Sequence, residues 1–372
     1  LVLISSLQPR GAERVTVSLL ARLREQGYDV PLGTLTNLQD GPLAAELEAR
    51  AVERIDLGCR RLADPAALLR LVGLLRRRRI DVVHAHGQDA SILAATACAI
   101  DRLPLIVTRH VIEEPTETLR LACRASLALR ALQRANLVLA VSEAAARRLV
   151  QVVKLRQPPE VIPNGIEPGF FDLGPCAPEI ELRSTLGLGG GPVVLSVAAL
   201  ETGKGHEFLL RAAADLHDRY PELELLLAGE GPLEVELRER ASRLGITVRF
   251  LGYRKDVPQL MATADLVCQA SVSEALPTAL MEAAAVGRPV VATRVGGTEE
   301  VVDDQETGLL VPSGDPGALA RAMERILSDS ELASAMGRVA SSRARTRFSL
   351  DTQVEATLDA WQRAVGTRRV AA

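Results

Sequence analysis

Aromatic side chains are nearly missing: one Trp, three Tyr and five Phe stand in 372 residues. Proteins that grip single-stranded nucleic acid stack bases on aromatic rings, so this composition argues against nucleic acid as a partner. It also means that the core is built from Leu, Val and Ala. The five cysteines (Cys59, Cys98, Cys123, Cys176 and Cys268) are scattered, with no CxxC pair. That spacing excludes a zinc ribbon and a disulfide framework, and it reads as small buried hydrophobes in a reducing compartment. No apolar run reaches the roughly 18–20 residues of a membrane span, and no signal peptide is visible. The chain opens on LVLISS, within a strand pattern and without Met. No D-x-D motif, low-complexity tract or internal repeat occurs. With 47% apolar and 24% charged residues, the chain reads as a soluble globular protein long enough for two domains.

The charge is divided. Residues 1–170 carry 23 Lys/Arg against 18 Asp/Glu, whereas residues 171–372 carry 21 against 29. A basic half beside an acidic half predicts two domains, the basic one meeting something anionic. Short β-branched runs alternate with helical patterns in both halves. Strands are predicted at Leu1–Ser5, Val30–Leu35, Val82–His84, Leu105–Thr108, Leu137–Val141 and Val161–Ile162, then at Val193–Val197, Leu223–Ala228, Val248–Leu251, Leu266–Cys268 and Val290–Ala292. Helical patterns lie near 11–26, 65–78, 88–100, 117–134 and 143–153. The stretch 315–365 is helical, with breaks near Asp329 and Ser349. Alternation of this kind gives parallel sheets covered on both faces, hence two doubly wound α/β domains. The segment from Pro163 to Glu179, rich in Pro and Gly, marks the boundary. Ligands of open parallel sheets bind outside the strands' carboxyl ends, and two such sheets facing each other would place a ligand in the cleft between them.

In SEALPTALMEAAAVGRPVVA, from Ser273 to Ala292, Glu282 is the one charge within an apolar run. Pro277 suits a first helical turn and Gly287 a helix end, so a helix is predicted over 277–286. Glu282 then either faces water from an amphipathic helix or accepts hydrogen bonds from a ligand's hydroxyls, such as a ribose diol. Glu274 lies just before a helix start whose backbone N–H groups favour an anion. A phosphate there, with a carboxylate gripping a polyol on either side, describes a nucleotide-sugar site.

This E-x7-E pair resembles that of the retaining GT-B glycosyltransferases, especially glycosyltransferase family 4. Further stretches carry the resemblance in order along the whole chain: RGAER at 10–14, DVVHAHG at 81–87, VTRH at 107–110, ANLVLAVSE at 135–143, VIPNGIE at 161–167, LSVAALETGKG at 195–205, LLLAGEGP at 225–232, FLGYRKDV at 250–257 and VGGTEEVV at 295–302. It implies a Rossmann-like acceptor-binding domain over 1–168, a second Rossmann-like domain over 169–350 that binds the nucleotide sugar, and a helix over 351–372 crossing back to the first. It implies that Glu274 contacts the donor sugar and Glu282 the ribose. The diphosphate would rest on backbone N–H groups around Leu276, Pro277, Thr278 and Ala279. Lys204 would add positive charge, Gly11 a close backbone approach, Gly229 and Tyr253 the neighbourhood of the base, and His110 a contact to the sugar. Catalysis would fall to Glu274, His110 and Lys204, without metal or cofactor beyond the nucleotide sugar itself.

Two departures bear on this. Ala198-Ala199-Leu200 stands where the family has Gly-Arg before Leu, which removes a second cation from the diphosphate. Arg10 precedes Gly11 where the family has Gly, and it either replaces that cation or is a solvated loop residue. His84 and His86 alternate on one strand face, with packing at the strand end the simpler role for His84. On the 118–134 helix, Arg120, Arg124, Arg130 and Arg134 fall within an arc of roughly 120°. With RRRR at 76–79, they are either ordinary solvated arginines or a surface for an anionic membrane carrying a lipid-linked acceptor. The resulting expectation is a metal-independent retaining hexosyltransferase of cell-surface glycan, glycolipid or lipopolysaccharide synthesis, cytoplasmic or peripheral on the inner membrane face, acting on a carbohydrate or lipid-linked acceptor. A nucleotide-sugar 2-epimerase and a non-catalytic nucleotide-sugar binder are the alternatives.

Overall fold

The structure, a computed structural model, describes residues 1–8, 10–36, 41–60, 64–110, 119–173 and 180–371. The chain divides into two compact units, residues 1–165 with 350–372 and residues 166–349. The sequence reading sets these divisions at 168 and 350.

In the first unit the strands are β1 (Val2–Ile4), β2 (Leu32–Thr34), β3 (Arg54–Asp56), β4 (Val83–His86), β5 (Leu105–Arg109), β6 (Leu137–Ala140) and β7 (Glu160–Val161). They form a parallel sheet in the order β3-β2-β1-β4-β5-β6-β7. In the second unit β8 (Val193–Val197), β9 (Glu224–Ala228), β10 (Val248–Gly252), β11 (Leu266–Gln269), β12 (Val290–Thr293) and β13 (Gly308–Val311) form another, in the order β10-β9-β8-β11-β12-β13. β1, β4, β5, β9, β11 and β12 are buried along their whole length, as strands covered on both faces must be. Val, Leu, Ile and Ala fill both faces, which is why so few aromatics suffice.

Two strands escape the sequence pattern, and both are sheet edges. β3 reads RID, with charged residues on either side of one Ile, as edges tolerate. β13 is a four-residue GLLV without alternation. The predicted helix breaks at Asp329 and Ser349 are present. Asp329 Oδ1 accepts from Leu332 N at 2.9 Å to cap the helix Ser330–Arg347, and the helix Leu350–Ala371 follows. Cys98 and Cys268 are buried free thiols and Cys59 is half-buried; Cys123 and Cys176 lie outside the residues whose side chains are described.

The last helix belongs to the first unit. Gln353 Oε1 accepts from Gly165 N at 2.9 Å. Arg22 Nε donates to Asp351 Oδ1 at 2.7 Å. Trp361 Nε1 donates to His84 Nδ1 at 3.1 Å, within β4. Asp351 and Arg22 are partly exposed and contribute little. The Trp361 bond is sheltered, and its loss leaves His84 Nδ1 without its donor. Trp361→Phe is expected to cost about 1–2 kcal/mol and to lower the melting temperature of the first unit by about 2–8 °C in a calorimetric scan.

Candidate functional site

In each sheet the strand order reverses once, between β1 and β4 in the first and between β8 and β11 in the second. A reversal splays the loops that leave the two central strands, and it opens a crevice at their carboxyl ends.

In the second unit the loop after β8 runs through Ala198–Gly205 and the loop after β11 through Ala270–Pro277. Glycine lets them touch. Gly205 has φ +64°, and a Cβ there would lie 2.0 Å from Ala270 O. Val272 N donates to Gly203 O at 2.9 Å. This contact carries Lys204 to Glu274, 70 residues further along the chain. Lys204 Nζ donates to Glu274 Oε1 at 2.6 Å. Gln269 Nε2 and Ser271 Oγ donate to the same oxygen at 2.6 and 2.7 Å. Gly297 N holds the Glu274 carbonyl at 3.1 Å, so the backbone is pinned as well as the side chain. Glu274 is 9% exposed. Among the described residues no donor reaches its Oε2, which is left to accept from a ligand hydroxyl.

The helix after this loop is Thr278–Val286, with Pro277 as its N-cap and no side-chain cap. Among the described residues no acceptor meets the N–H of Thr278 or Ala279, both half-buried; Leu276 and Pro277 are buried. Open N–H groups at a helix start favour an anion. Glu282 is 8% exposed and flanked by buried Met281 and Ala283. The amphipathic, water-facing alternative for Glu282 is therefore overturned: the whole stretch from Leu280 to Val286 is buried.

The other predicted residues of this unit gather at the neighbouring strand end. Gly229, with φ +150°, has no room for a side chain, because a Cβ would lie 2.0 Å from Ala198 O. Gly229 N donates to Gly252 O at 2.8 Å, and Tyr253 N donates to Glu230 Oε1 at 3.2 Å. Ala199 brings no cation. Its carbonyl lies 3.0 Å from Nε2 of His206, a buried residue whose Nδ1 meets no partner among the described residues. Gln269, Ser271 and His206 went unnoticed in the sequence. The signal for the first two was a buried strand, LVCQ, ending in polar residues at its carboxyl end.

In the first unit Gly11 opens the helix Gly11–Glu25, with exposed Arg10 as its N-cap. Three imidazoles meet here: His84 within β4, His86 at its end and His110 just after β5. His84 and His86 have ring centroids 4.3 Å apart, and His86 stacks on His110 at 5.1 Å. His84 Nε2 lies 2.7 Å from Thr108 Oγ1. With Trp361 on its other nitrogen, His84 is fully engaged in packing. His86 Nδ1 and His110 Nε2 lie 2.8 Å apart. They point at each other, which leaves no space for a metal ion between them. Burial, and then the neighbouring His110, push His84 down to about 3. Burial, helped by Arg109, pushes His110 down to about 4. His86 is held well below the usual range by burial and by its two neighbours. All three rings are neutral near pH 7.

Part of the arginine surface is already paired with acidic side chains. Arg124 pairs with Asp89 on the adjacent helix Gln88–Asp101, although its side chain stays 39% exposed. Arg76 pairs with Asp101 at 2.7 Å and Arg78 with Glu53 at 2.5 Å. Arg130 and Arg134 are exposed, with Leu127 exposed beside them. The side chain of Arg120 lies outside those described. Among the described residues no helix is long and apolar enough to cross a membrane.

Two family profiles match the two halves of the chain: Glycosyltransferase Family 4 over residues 9–170 and Glycosyl transferases group 1 over residues 179–343. The chain is a family 4 glycosyltransferase of the GT-B fold. It is similar to the 2-deoxystreptamine glucosyltransferase of Streptomyces kanamyceticus, 29% identical over 71% of this chain and 72% of that one. It is also similar to the D-inositol 3-phosphate glycosyltransferase of Corynebacterium jeikeium, 36% identical over 53% of this chain; that match spans about half of the relative's length, 49%. Among solved structures, Anabaena HepE in complex with UDP-glucose has a TM-score of 0.87 at 26% identity, covering 97% of this glycosyltransferase and 99% of HepE.

Proposed function

We propose that this glycosyltransferase is a retaining hexosyltransferase that takes a sugar from a nucleoside diphosphate and joins it to an acceptor hydroxyl, with residues 169–350 holding the donor and residues 1–168 the acceptor. The observation that carries this reading is the Glu274 carboxylate. It is held at one oxygen by Lys204, Gln269 and Ser271, and it stands just before a helix start with open N–H groups. Glu274 Oε2 accepts from hydroxyls of the donor sugar. Lys204 and the N–H groups of Thr278 and Ala279 take the diphosphate. Glu282 takes the ribose, and the loops at Gly229 and Tyr253 flank the base. HepE, bound to UDP-glucose in its crystal, supports a nucleotide-sugar donor.

In the reaction the acceptor oxygen attacks the anomeric carbon on the face that the diphosphate leaves. The bond from that carbon to the phosphate oxygen breaks, and the acceptor's proton passes to a phosphate oxygen. Charge grows on the diphosphate as the bond breaks, where Lys204 and the helix N–H groups stabilise it. No metal is called for in this scheme. The acceptor is a carbohydrate or a lipid-linked glycan of cell-surface synthesis. The exposed Arg130 and Arg134 around Leu127 suit contact with an anionic membrane from the cytoplasmic side.

Ala199 favours a second reading, a binder of nucleotide sugars with little turnover, since each lost charge contact weakens leaving-group stabilisation by about 1.5–3 kcal/mol. A thermal-shift series with UDP-glucose, GDP-mannose and ADP-glucose tests the first requirement of both. At 100 times its Kd the true donor is expected to add about 2.7 kcal/mol, raising the melting temperature by about 5–10 °C. No shift with any of the three would refute donor binding. Product formation with retained anomeric configuration, followed by NMR, then separates the transferase from the binder.

A further inference from the structure

Asn164–Gly165 is the one Asn-Gly pair of the chain, whose other asparagines are Asn37 and Asn136. The chemistry open to such a pair is intramolecular. When the Gly165 nitrogen loses its proton to hydroxide, it attacks Asn164 Cγ. The C–N bond of the side-chain amide breaks, ammonia leaves, and a succinimide ring closes. Water then opens the ring at one carbonyl or the other, which yields aspartate or isoaspartate. Glycine hinders the attack least, since no side chain covers the nitrogen.

The fold fixes glycine at this place. A Cβ on residue 165 would lie 2.6 Å from Leu350 Cα and 3.1 Å from Gln353 Cβ, both on the helix Leu350–Ala371. The same helix supplies a restraint. Gly165 N donates to Gln353 Oε1 at 2.9 Å in a buried bond. Only an oxygen can accept there, so the orientation of the Gln353 amide is settled. Asn164 is 4% exposed and Gln353 7%, which keeps hydroxide from the nitrogen. The Asn164 side chain is not tethered through its oxygen, for Oδ1 meets no donor among the described residues. The brake is therefore on the nucleophile. Amide hydrogen exchange begins with the same loss of a proton, and a buried, bonded N–H exchanges only on local opening.

We propose that Asn164 is a modification site, converted to aspartate or isoaspartate by attack of Gly165 N, and that Gln353 on the docked last helix keeps it closed. Undocking of the helix opens it. The product carboxylate is costly to rebury without a partner, so a converted chain does not dock the helix again.

Peptide mapping by mass spectrometry reads the exchange of NH2 for OH at Asn164 in the full chain held near pH 8. In the wild type, conversion is expected to be about a hundredfold slower in buffer than in denaturing urea. Gln353→Met keeps the length of the side chain and removes the acceptor. It is expected to convert about tenfold faster than wild type, the worth of one buried hydrogen bond. In urea below the unfolding transition, wild-type conversion and exchange of the 15N-labelled Gly165 amide are expected to rise in step. Asn164→Asp is expected to move Trp361 emission to longer wavelength, as the helix that carries it comes away. Conversion as fast in buffer as in urea, or a folded Gln353→Met that converts no faster than wild type, overturns the inference. Should Gln353→Met not fold, the wild type decides: conversion that stays level while Gly165 exchange rises with urea overturns it equally. Unchanged Trp361 emission in Asn164→Asp overturns the lasting loss of the helix.

Discussion

Glu274→Gln is expected to lower kcat/KM for the nucleotide-sugar donor about a hundredfold, the loss of one or two charge-assisted hydrogen bonds, while the second unit stays folded. The substitution is nearly isosteric. Its carbonyl oxygen can still accept from Gln269 Nε2, Ser271 Oγ and Lys204 Nζ, the three donors that now converge on Oε1. The amide nitrogen takes the place of Oε2, so the group that faces the ligand turns from acceptor into donor. Lys204 also loses a full negative charge as its partner. Glu274→Ala is the harsher change, because it strands three donors beside a buried cavity, and it confounds activity with stability. Lys204→Met is expected to have a comparable effect through the diphosphate. The double variant Lys204→Met with Glu274→Gln is expected to fall short of the product of the single effects, since the two side chains are in direct contact. Steady-state kinetics on all three decides it. Glu274→Gln with unchanged kcat/KM and an unchanged melting curve would remove Glu274 from the site.

The parallel sheets were legible because most of their central strands are rich in Val, Leu and Ile and bounded by turn residues. β8 and β12 read directly from Val-rich runs. The edges were not, since β3 is short and charged and β13 lacks a pattern that separates strand from loop. The local elements of the site were also legible: a helix opened by Pro277 and closed by Gly287 places Glu282 in its second turn whatever the rest of the fold does. What periodicity leaves undecided is depth. A helix with one Glu among apolar residues reads as amphipathic, yet it is buried on every side from Leu280 to Val286. Nor could the pairing of Lys204 with Glu274 be derived from spacing. It depends on a carbonyl of one loop occupying the space where Gly205 has no Cβ. Arg124 shows the same limit in reverse. Its angular position on the helix lies within the basic arc, and only the fold shows that the adjacent helix supplies Asp89 as its partner.

The histidine cluster carries the second large expectation, on stability rather than turnover. His84, His86 and His110 are buried as neutral rings, so each titrates far below the value of about 6.5 for an unfolded imidazole. Above pH 7 neither the folded nor the unfolded chain binds protons at these rings, and their contribution is flat. Between pH 6.5 and about 4, where His110 begins to titrate in the folded state, only the unfolded chain takes protons up, and stability falls as the pH falls. Each ring contributes at most about 1.4 kcal/mol per pH unit, so at pH 5 the first unit is expected to have lost about 2 kcal/mol for each of the three. Asp351, held below the usual carboxylate range by Arg22, loses stability in the same direction further down. Glu13, raised by burial, opposes it weakly. Trp361 is the one tryptophan of the chain and touches His84, so its fluorescence reports on the unit that holds the cluster. Urea unfolding followed through Trp361 is expected to show the midpoint dropping steeply from pH 7 to pH 5, and His86→Asn to reduce that drop by about a third. A midpoint that does not move between pH 7 and pH 5 means that all three rings open to water and take up their protons in the folded state, contrary to the sealed cluster on β4 and β5.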